Sequence, residues 1–447
     1  MAKIHKVSDV YGITRDLPIN YVTRPAVDEA LVEALTRNQH LVIYGSSKQG
    51  KTSLRKYNLK DEEYIVITAS NRWTLGQLHA AILKQAGYTV VQSETKTVSG
   101  SFKISVTARL TAKLFGTGLD ASTAAEGTKS TSAVETHLEL DPADVNDVID
   151  ALDQIVFKSW IVLEDFHYLP EETQRDFAVA LKAFHESSEL TFIIVGVWLQ
   201  ENRLVQFNGD LSGRVATINA DLWSPLELTE AITVGERLLN IQFDKAFKNE
   251  LVSASFDSIY VVQEVCSLAC EQSGIVMTQD ELTVVRPAGR GRALIAEVVE
   301  RQSARFSDFI LNFSAGFGST DLEMYKWLLV PVIATSAARL EKGIPYRRIR
   351  RILGRVHPRG TALNAGNVTQ ALKGTASLQV QQGVKPLVLD YDQSLKRLNV
   401  VDRSFLIWLD QQIKSELLEA IDLGPDVLAL ANQPQTGSAG VDEEEEE

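Results

Sequence analysis

Two cysteines in 447 residues are too few for a disulfide framework. Cys266 and Cys270 stand four apart, so on a helix they share one side and read as small core residues; a zinc site would need further ligands. No apolar run approaches the roughly 18 residues of a membrane-spanning helix. The opening Met1-Ala2-Lys3-Ile4-His5-Lys6-Val7-Ser8-Asp9 lacks the apolar stretch of a secretory signal. A reducing, cytoplasmic setting without a membrane partner is expected. Cations are in deficit, 45 Lys and Arg against 58 Asp and Glu, for a net charge of −13. Part of that deficit is local: Asp442 and Glu443 to Glu447 follow a Pro/Gln/Gly/Ser stretch. Such a run is a solvating tail or, alternatively, a cover for a basic surface in competition with nucleic acid.

What is present begins with Gly45-Ser46-Ser47-Lys48-Gln49-Gly50-Lys51-Thr52, a complete G-x-x-x-x-G-K-[ST] string. Leu41-Val42-Ile43-Tyr44 leads in as a strand, and Ser53-Leu54-Arg55-Lys56 follows as helix. The glycines let successive N–H groups turn toward a phosphate, and the helix N-terminus adds its positive dipole end. Lys51 would reach the β- and γ-phosphates, and the Thr52 hydroxyl would ligate Mg2+. The alternative, a glycine-rich turn with a stray lysine, does not require a strand before and a helix after. A nucleoside triphosphate, ATP with Mg2+, is the expected ligand, held by Gly45 to Ser53.

The chain is too long for one ordinary core. Strands are expected near 40–44, 64–68, 160–164, 191–196 and 215–219, with helices at 26–37, 74–86, 143–157 and 171–187 between them. That alternation implies a parallel sheet covered on both faces. Residues 93–134 turn to Ser, Thr, Gly and Ala, with Phe102, Ile104, Val106, Ala108 and Leu110 alternating against polar neighbours. This reads as an insertion, a hairpin plus a loose arm. Its mild cationic excess suits DNA or subunit contact, or simply a solvated surface. Residues 225–310 read as helical apart from the apolar stretch Ile259-Tyr260-Val261-Val262. Next come a helix at 322–329 capped by Asp321, a helix within Ile344–Leu353, a third around Gly366–Leu372, and strands at 386–391 and 397–401. Three helices before a two-stranded ribbon is the order of a winged helix.

A triphosphatase needs a carboxylate near the metal and a group that aligns the attacking water. Trp160-Ile161-Val162-Leu163 runs into Glu164-Asp165, two acids where an open α/β sheet holds its ligands; the alternative is that they cap the next helix. Arg214, after Asn208-Gly209-Asp210-Leu211-Ser212-Gly213, suits an arginine finger for a neighbouring subunit or a surface ion pair. Gln200 and Asn202 are sensing amides or loop polarity, and His167 is expected to be structural.

The phosphate loop, Leu163 to Leu169 and Gly213-Arg214 together resemble AAA+ ATPases of the origin-recognition/initiator-like group. They are also similar to the archaeal-type and STAND-type ATPases. Leu398-Asn399-Val400-Val401-Asp402-Arg403-Ser404-Phe405-Leu406-Ile407-Trp408 resembles the segment that closes the winged helix in the archaeal-type branch. The likeness spans about residues 20–410. It implies that Lys51 and Thr52 serve phosphate and Mg2+, that Glu164 and Asp165 form the second nucleotide motif, and that Arg24 lies by the base. Two departures stand out. Glu164 precedes Asp165 where the family runs Asp then Glu, which implies slow hydrolysis. Gly196-Val197-Trp198 stands where a small polar sensor is usual, and only Arg290 and Arg292 offer a second sensor in the lid.

Lys342, Arg347, Arg348, Arg350, Arg351, Arg355 and Arg359 form the clearest partner signal. Their spacing on a helix fits phosphate contacts on double-stranded DNA, or docking to an acidic partner or the chain's own acidic run. The expected fold is α/β, a P-loop NTPase parallel sheet with a helical lid, followed by an α+β winged-helix domain. The bounds are 1–225 for the ATPase core (insertion about 93–134), 226–315 for the lid, 316–415 for the winged helix and 416–447 for a helix and disordered acidic tail. The expected function is an ATPase that forms homo-oligomers with ATP and binds DNA to regulate a partner, in initiation, transposition or antiviral defence. The alternative is a STAND-like switch that activates a separate effector without DNA.

Overall fold

Short runs rich in Val and Ile, four or five residues long, are too brief for helices and too apolar for a solvated face. The computed structural model describes residues 3–12, 16–96, 102–110, 134–287, 289–318 and 320–433. Among these, the first half of the chain holds eight strands: β1 (His40–Tyr44), β2 (Tyr64–Thr68), β3 (Tyr88–Lys96), β4 (Phe102–Leu110), β5 (Val134–Leu140), β6 (Trp160–Glu164), β7 (Phe192–Val195) and β8 (Val215–Asn219). Five of them form one parallel sheet in the order β2-β6-β7-β1-β8. Because side chains alternate along a strand, β1 feeds two cores. Leu41 and Ile43 pack with Val27, Leu31 and Leu54 on one face. Val42 and Tyr44 share the other with Leu78, Ile82, Phe177 and Phe184.

The insertion is wider than expected. Strands β3, β4 and β5 form a three-stranded antiparallel sheet from Tyr88 to Leu140, with Ile104, Val106 and Ala108 buried. The alternation of β5 is diluted by Glu135, Thr136, His137 and Glu139, which hides it in the sequence. The expected loose arm and the acidic run lie outside the described residues.

Helices Pro225–Leu239, Lys245–Ala254, Ile259–Gln272, Gly291–Glu300 and Ser303–Ala315 make the lid, with a short parallel pair, β9 (Ile241–Gln242) and β10 (Thr283–Val284). Ile259 to Val262, strand-like by composition, instead open a helix, because Ser258 Oγ accepts from Val261 N (3.3 Å) and caps it. Cys266 and Cys270 are buried on that helix.

The last region has helix Met324–Ala334, strand β11 (Ile344–Pro345), the arginine-rich helix Tyr346–Val356, helix Ala365–Lys373 continued past Gly374 by Thr375–Gln381, and the hairpin β12 (Leu389–Asp392) and β13 (Arg397–Val400). The sheet order β11-β13-β12, all antiparallel, is that of a winged helix. Ile344 and Pro345 therefore belong to a strand rather than to the helix. Helix Met324–Ala334 starts after Glu323 in a left-handed conformation, not at a cap supplied by Asp321. No helix among the described residues is long and apolar enough to cross a membrane.

Candidate nucleotide site

Strand β1 sits inside the sheet with all five residues buried, and its exit forms the phosphate loop. Gly45 has φ +141°, and a Cβ there would stand 2.5 Å from Asp221 Oδ1, so any side chain would strain the backbone and displace Asp221. Gly50 turns the chain at φ +79° into the helix Lys51–Asn58, whose first amides have no partner within the helix. The Lys51 ammonium donates to the carbonyls of Gly45 (3.1 Å) and Ser46 (2.5 Å). Burial pushes its pKa down to about 8, against the pull of Asp221, Glu164 and Asp165. A cavity of about 500 Å3 is lined by Ser47 to Ser53 together with Glu164, Asp165, His167 and Tyr260. A larger one, about 650 Å3, lies between the core and the winged-helix module, but it lacks the loop.

The two acids leave β6 as expected, yet they differ in setting. Glu164 accepts from Arg55 Nε (3.1 Å), one turn along the loop helix; Arg55 is buried and Glu164 is partly buried. Burial raises the Glu164 pKa, with Arg55 opposing. Asp165 follows in a left-handed conformation (φ 58°, ψ 29°) and is half-buried. Burial raises its pKa too, while Lys385 and then Lys51 lower it. His167 Nδ1 accepts from Val197 N–H (3.2 Å), and burial first, then nearby cations, hold its pKa well below the usual range. It is a neutral brace between β6 and β7.

The sensor position also has a local reason. A Cβ on Gly196 would stand 1.6 Å from the Trp198 ring, so the indole fills the space beside the backbone. The Trp198 carbonyl accepts from Gly45 N–H (3.0 Å), tying the β7 exit to the loop. Gln200 and Asn202 do not line the loop cavity. Gln200 donates to Gln206 and Ser394, and Asn202 accepts from Ser394 Oγ (3.1 Å) in the β12–β13 turn.

Four arginines are placed apart from the cavity. Arg24 is fully buried, donates to the Ala220 carbonyl (2.7 Å) and stacks over Trp223 at 4.1 Å. Trp223 Nε1 in turn donates to Gln49 O (3.3 Å), so Arg24 supports the loop from behind instead of lining a base pocket. Arg214 pairs with Glu186 (2.8 Å) at the entry of β8, the end of that strand opposite the phosphate loop. Arg292 is exposed beside Glu250, and Arg290 precedes the helix Gly291–Glu300; neither lines the cavity.

Sequence reasoning missed the groups that brace the loop from outside. Asp221, at the exit of β8, accepts from Ser46 N–H and Ser46 Oγ, both at 2.6 Å. Arg403 reaches the same carboxylate (3.4 Å) and Glu341 (2.9 Å). Ser47 N–H donates to the Val401 carbonyl (2.8 Å), and Arg305 pairs with Asp402 (2.5 Å). Tyr168, Val197, Leu387 and Val401 close a small apolar seam, over which Lys385 lies 4.5 Å from the Tyr168 ring. The winged-helix module is thus docked on the phosphate loop and on the turn after the acids. Only the position of Asp221, at the end of a strand neighbouring β1, was open to anticipation.

The arginine helix is amphipathic. Ile349, Ile352, Leu353 and Val356 are buried, Arg347, Arg350 and Arg351 are exposed, and Arg348 and Arg355 are half-buried. It is the first of the two helices before the hairpin. The second, Ala365–Lys373, carries one cation, Lys373.

No protein-family model matches the sequence, and no curated protein matches it. Solved structures similar to the chain include a Walker-type ATPase of Pyrococcus abyssi, 13% identical with a TM-score of 0.48 over 90% of this chain and 99% of that one. The Aeropyrum pernix ORC2 protein, in ADPNP–ADP complexes, is 14% identical with a TM-score of 0.45 over 94% and 97%. The Aeropyrum pernix ORC1 protein in complex with DNA is 12% identical with a TM-score of 0.42 over 91% and 96%. By its own sheet order and loop geometry, the chain has the fold of a P-loop ATPase with a helical lid and an α+β module.

Proposed function

We propose that the protein is an ATP-binding, slowly hydrolysing switch of the AAA+ type. In this reading it assembles with copies of itself when ATP is bound, and contacts duplex DNA through the winged-helix module to regulate a separate partner. The observation that carries it is the contact between module and loop: Val401 on Ser47, and Asp221 shared by Ser46 and Arg403. A ligand that re-aims Lys51 disturbs the same few residues that hold the module, so nucleotide and module position are coupled.

The residues fit a polyphosphate. Two glycines hold the loop in a left-handed path, the Lys51 ammonium rests on carbonyls instead of a carboxylate, and Thr52 and Ser53 line the cavity at the helix start. Thr52 and Glu164 would hold Mg2+, which supplies charge neutralisation at the phosphates. Glu164 has to exchange Arg55 for that role, and the shorter Asp165 is left to take the proton of water; both features favour slow turnover. Arg214, outside its own cavity, serves a neighbouring copy. Arg347, Arg348, Arg350, Arg351 and Arg355 sit on the helix that, in a helix-turn-helix, crosses the backbone. They therefore hold phosphates and not base edges, and the binding is salt-sensitive with little sequence preference.

Calorimetry with Mg·ATP and light scattering with a non-hydrolysable analogue test this. Lys51→Ala lowers ATP affinity by about 100-fold or more, from loss of a charge-assisted contact. It also abolishes ATP-dependent assembly without changing the circular dichroism; assembly that persists in the variant overturns the proposal. The second reading, a STAND-like switch acting on an effector without DNA, is favoured by one observation: Ala376 and Val380, next to the hairpin, pack on the core seam. Duplex affinity unaltered by Arg347→Glu with Arg351→Glu selects it.

A further inference from the structure

The structure points to an occupant for the arginine helix within the same chain. Helix Asp426–Ala431 packs against helix Tyr346–Val356. Arg355 Nη1 then donates to the carbonyl of Gln433, the last described residue, so the chain leaves the structure beside the arginine face. A shallow groove of about 360 Å3 lies there, lined by Arg350, Arg351, Gly354, Arg355 and Leu363. Beyond Gln433 come eight uncharged residues, Pro434 to Val441, and then six consecutive acids, Asp442 to Glu447.

We infer that the acidic run of residues 434–447 docks across Arg350 and Arg351 and competes there with other polyanions. The reach is sufficient. From Arg355 to Arg350 is roughly 8 Å along the helix, whereas eight extended residues span up to about 26 Å. Tethering at Gln433 holds the acids near the arginines at an effective concentration in the millimolar range. The segment carries a single large apolar residue, Val441, so its attachment is electrostatic and weakens with salt. The duplex arm of the test rests on the DNA reading above; a second arm does not.

The full chain is compared with one ending at Gln433 and with one carrying Asp442→Asn and glutamine at 443–447. Affinity for a duplex of arbitrary sequence is measured at 50 and 200 mM salt. Removal and neutralisation each tighten binding about tenfold at 50 mM, and the gain shrinks at 200 mM. Independently, without DNA, a glutamate-specific protease is applied to the wild-type chain and to Arg350→Glu with Arg351→Glu. Cleavage within 443–447 is several-fold slower in the wild type. If no chain binds duplex, the DNA reading falls and the protease arm alone decides. Equal cleavage in the two chains overturns the docking, even where removal tightens DNA binding, because the run then acts through net charge alone.

Discussion

Two sets of arginines divide this molecule. At the seam between core and module, Arg305, Arg403 and Arg203 each meet a carboxylate that is almost wholly buried: Asp402, Asp221 and Asp390. On helix Tyr346–Val356, Arg350 and Arg351 stand in solvent. A buried guanidinium is held by its partner and by geometry, and losing either member strands a charge. An exposed one contributes a long-range field that salt screens. The first set positions the module; the second is available to a polyanion.

The comparison breaks most sharply at Arg305. Arg305→Ala leaves Asp402 buried with only its bond to Ser404 N–H, and destabilisation on the order of 3 kcal/mol is expected. Thermal melting reads it, and Asp402→Ala added to Arg305→Ala recovers part of the loss because no charge is then stranded. A smaller effect follows on the exposed side. Arg350→Glu with Arg351→Glu weakens duplex binding about tenfold at low salt and flattens the salt dependence, while stability stays within about 0.5 kcal/mol. Equal damage to melting by both sets would erase the distinction.

Titration sharpens it further. The pKa of Lys51, about 8, lies below its ordinary 10.5. Below about 8 both folded and unfolded forms are charged, so the burial penalty is fully present; stability rises with pH between about 8 and 10.5 as the folded form sheds its proton first. Phosphate binding needs the ammonium. ATP affinity therefore falls roughly tenfold from pH 7 to pH 9, measured by calorimetry, whereas arginine-dependent duplex binding stays flat. The smallest change is expected at Arg37, an exposed i,i+4 pair with Glu33. Arg37→Ala shifts stability by no more than about 0.5 kcal/mol in denaturant unfolding.

The phosphate loop was legible because its requirements are local: two glycines, a lysine, a hydroxyl, a strand before and a helix after. The five sheet strands and the winged-helix order were legible for the same reason, since burial on a sheet face imposes short apolar runs. What escaped depends on distant contacts. In sequence Gly196 and Trp198 read as a missing sensor; in the fold the indole fills the glycine's vacant side and the Trp198 carbonyl accepts from Gly45 N–H. The resemblance places Arg24 by the base, but Trp223 and Ala220 enclose it. Nothing in the spacing of Val401 or Arg403 announces that they meet Asp221 and Ser47 at the loop.

The bond between Ser47 and Val401 joins residues roughly 350 positions apart in the chain, a long-range contact of the kind that slows folding. During translation the loop and the whole parallel sheet emerge well before their brace, and domains generally fold in the order they are made. Until the final hairpin has been made, the loop lacks the Val401 carbonyl that holds Ser47 in the finished fold. On the proposed function, a nucleotide bound in that interval would meet an unbraced loop and alter the surface on which the last module settles.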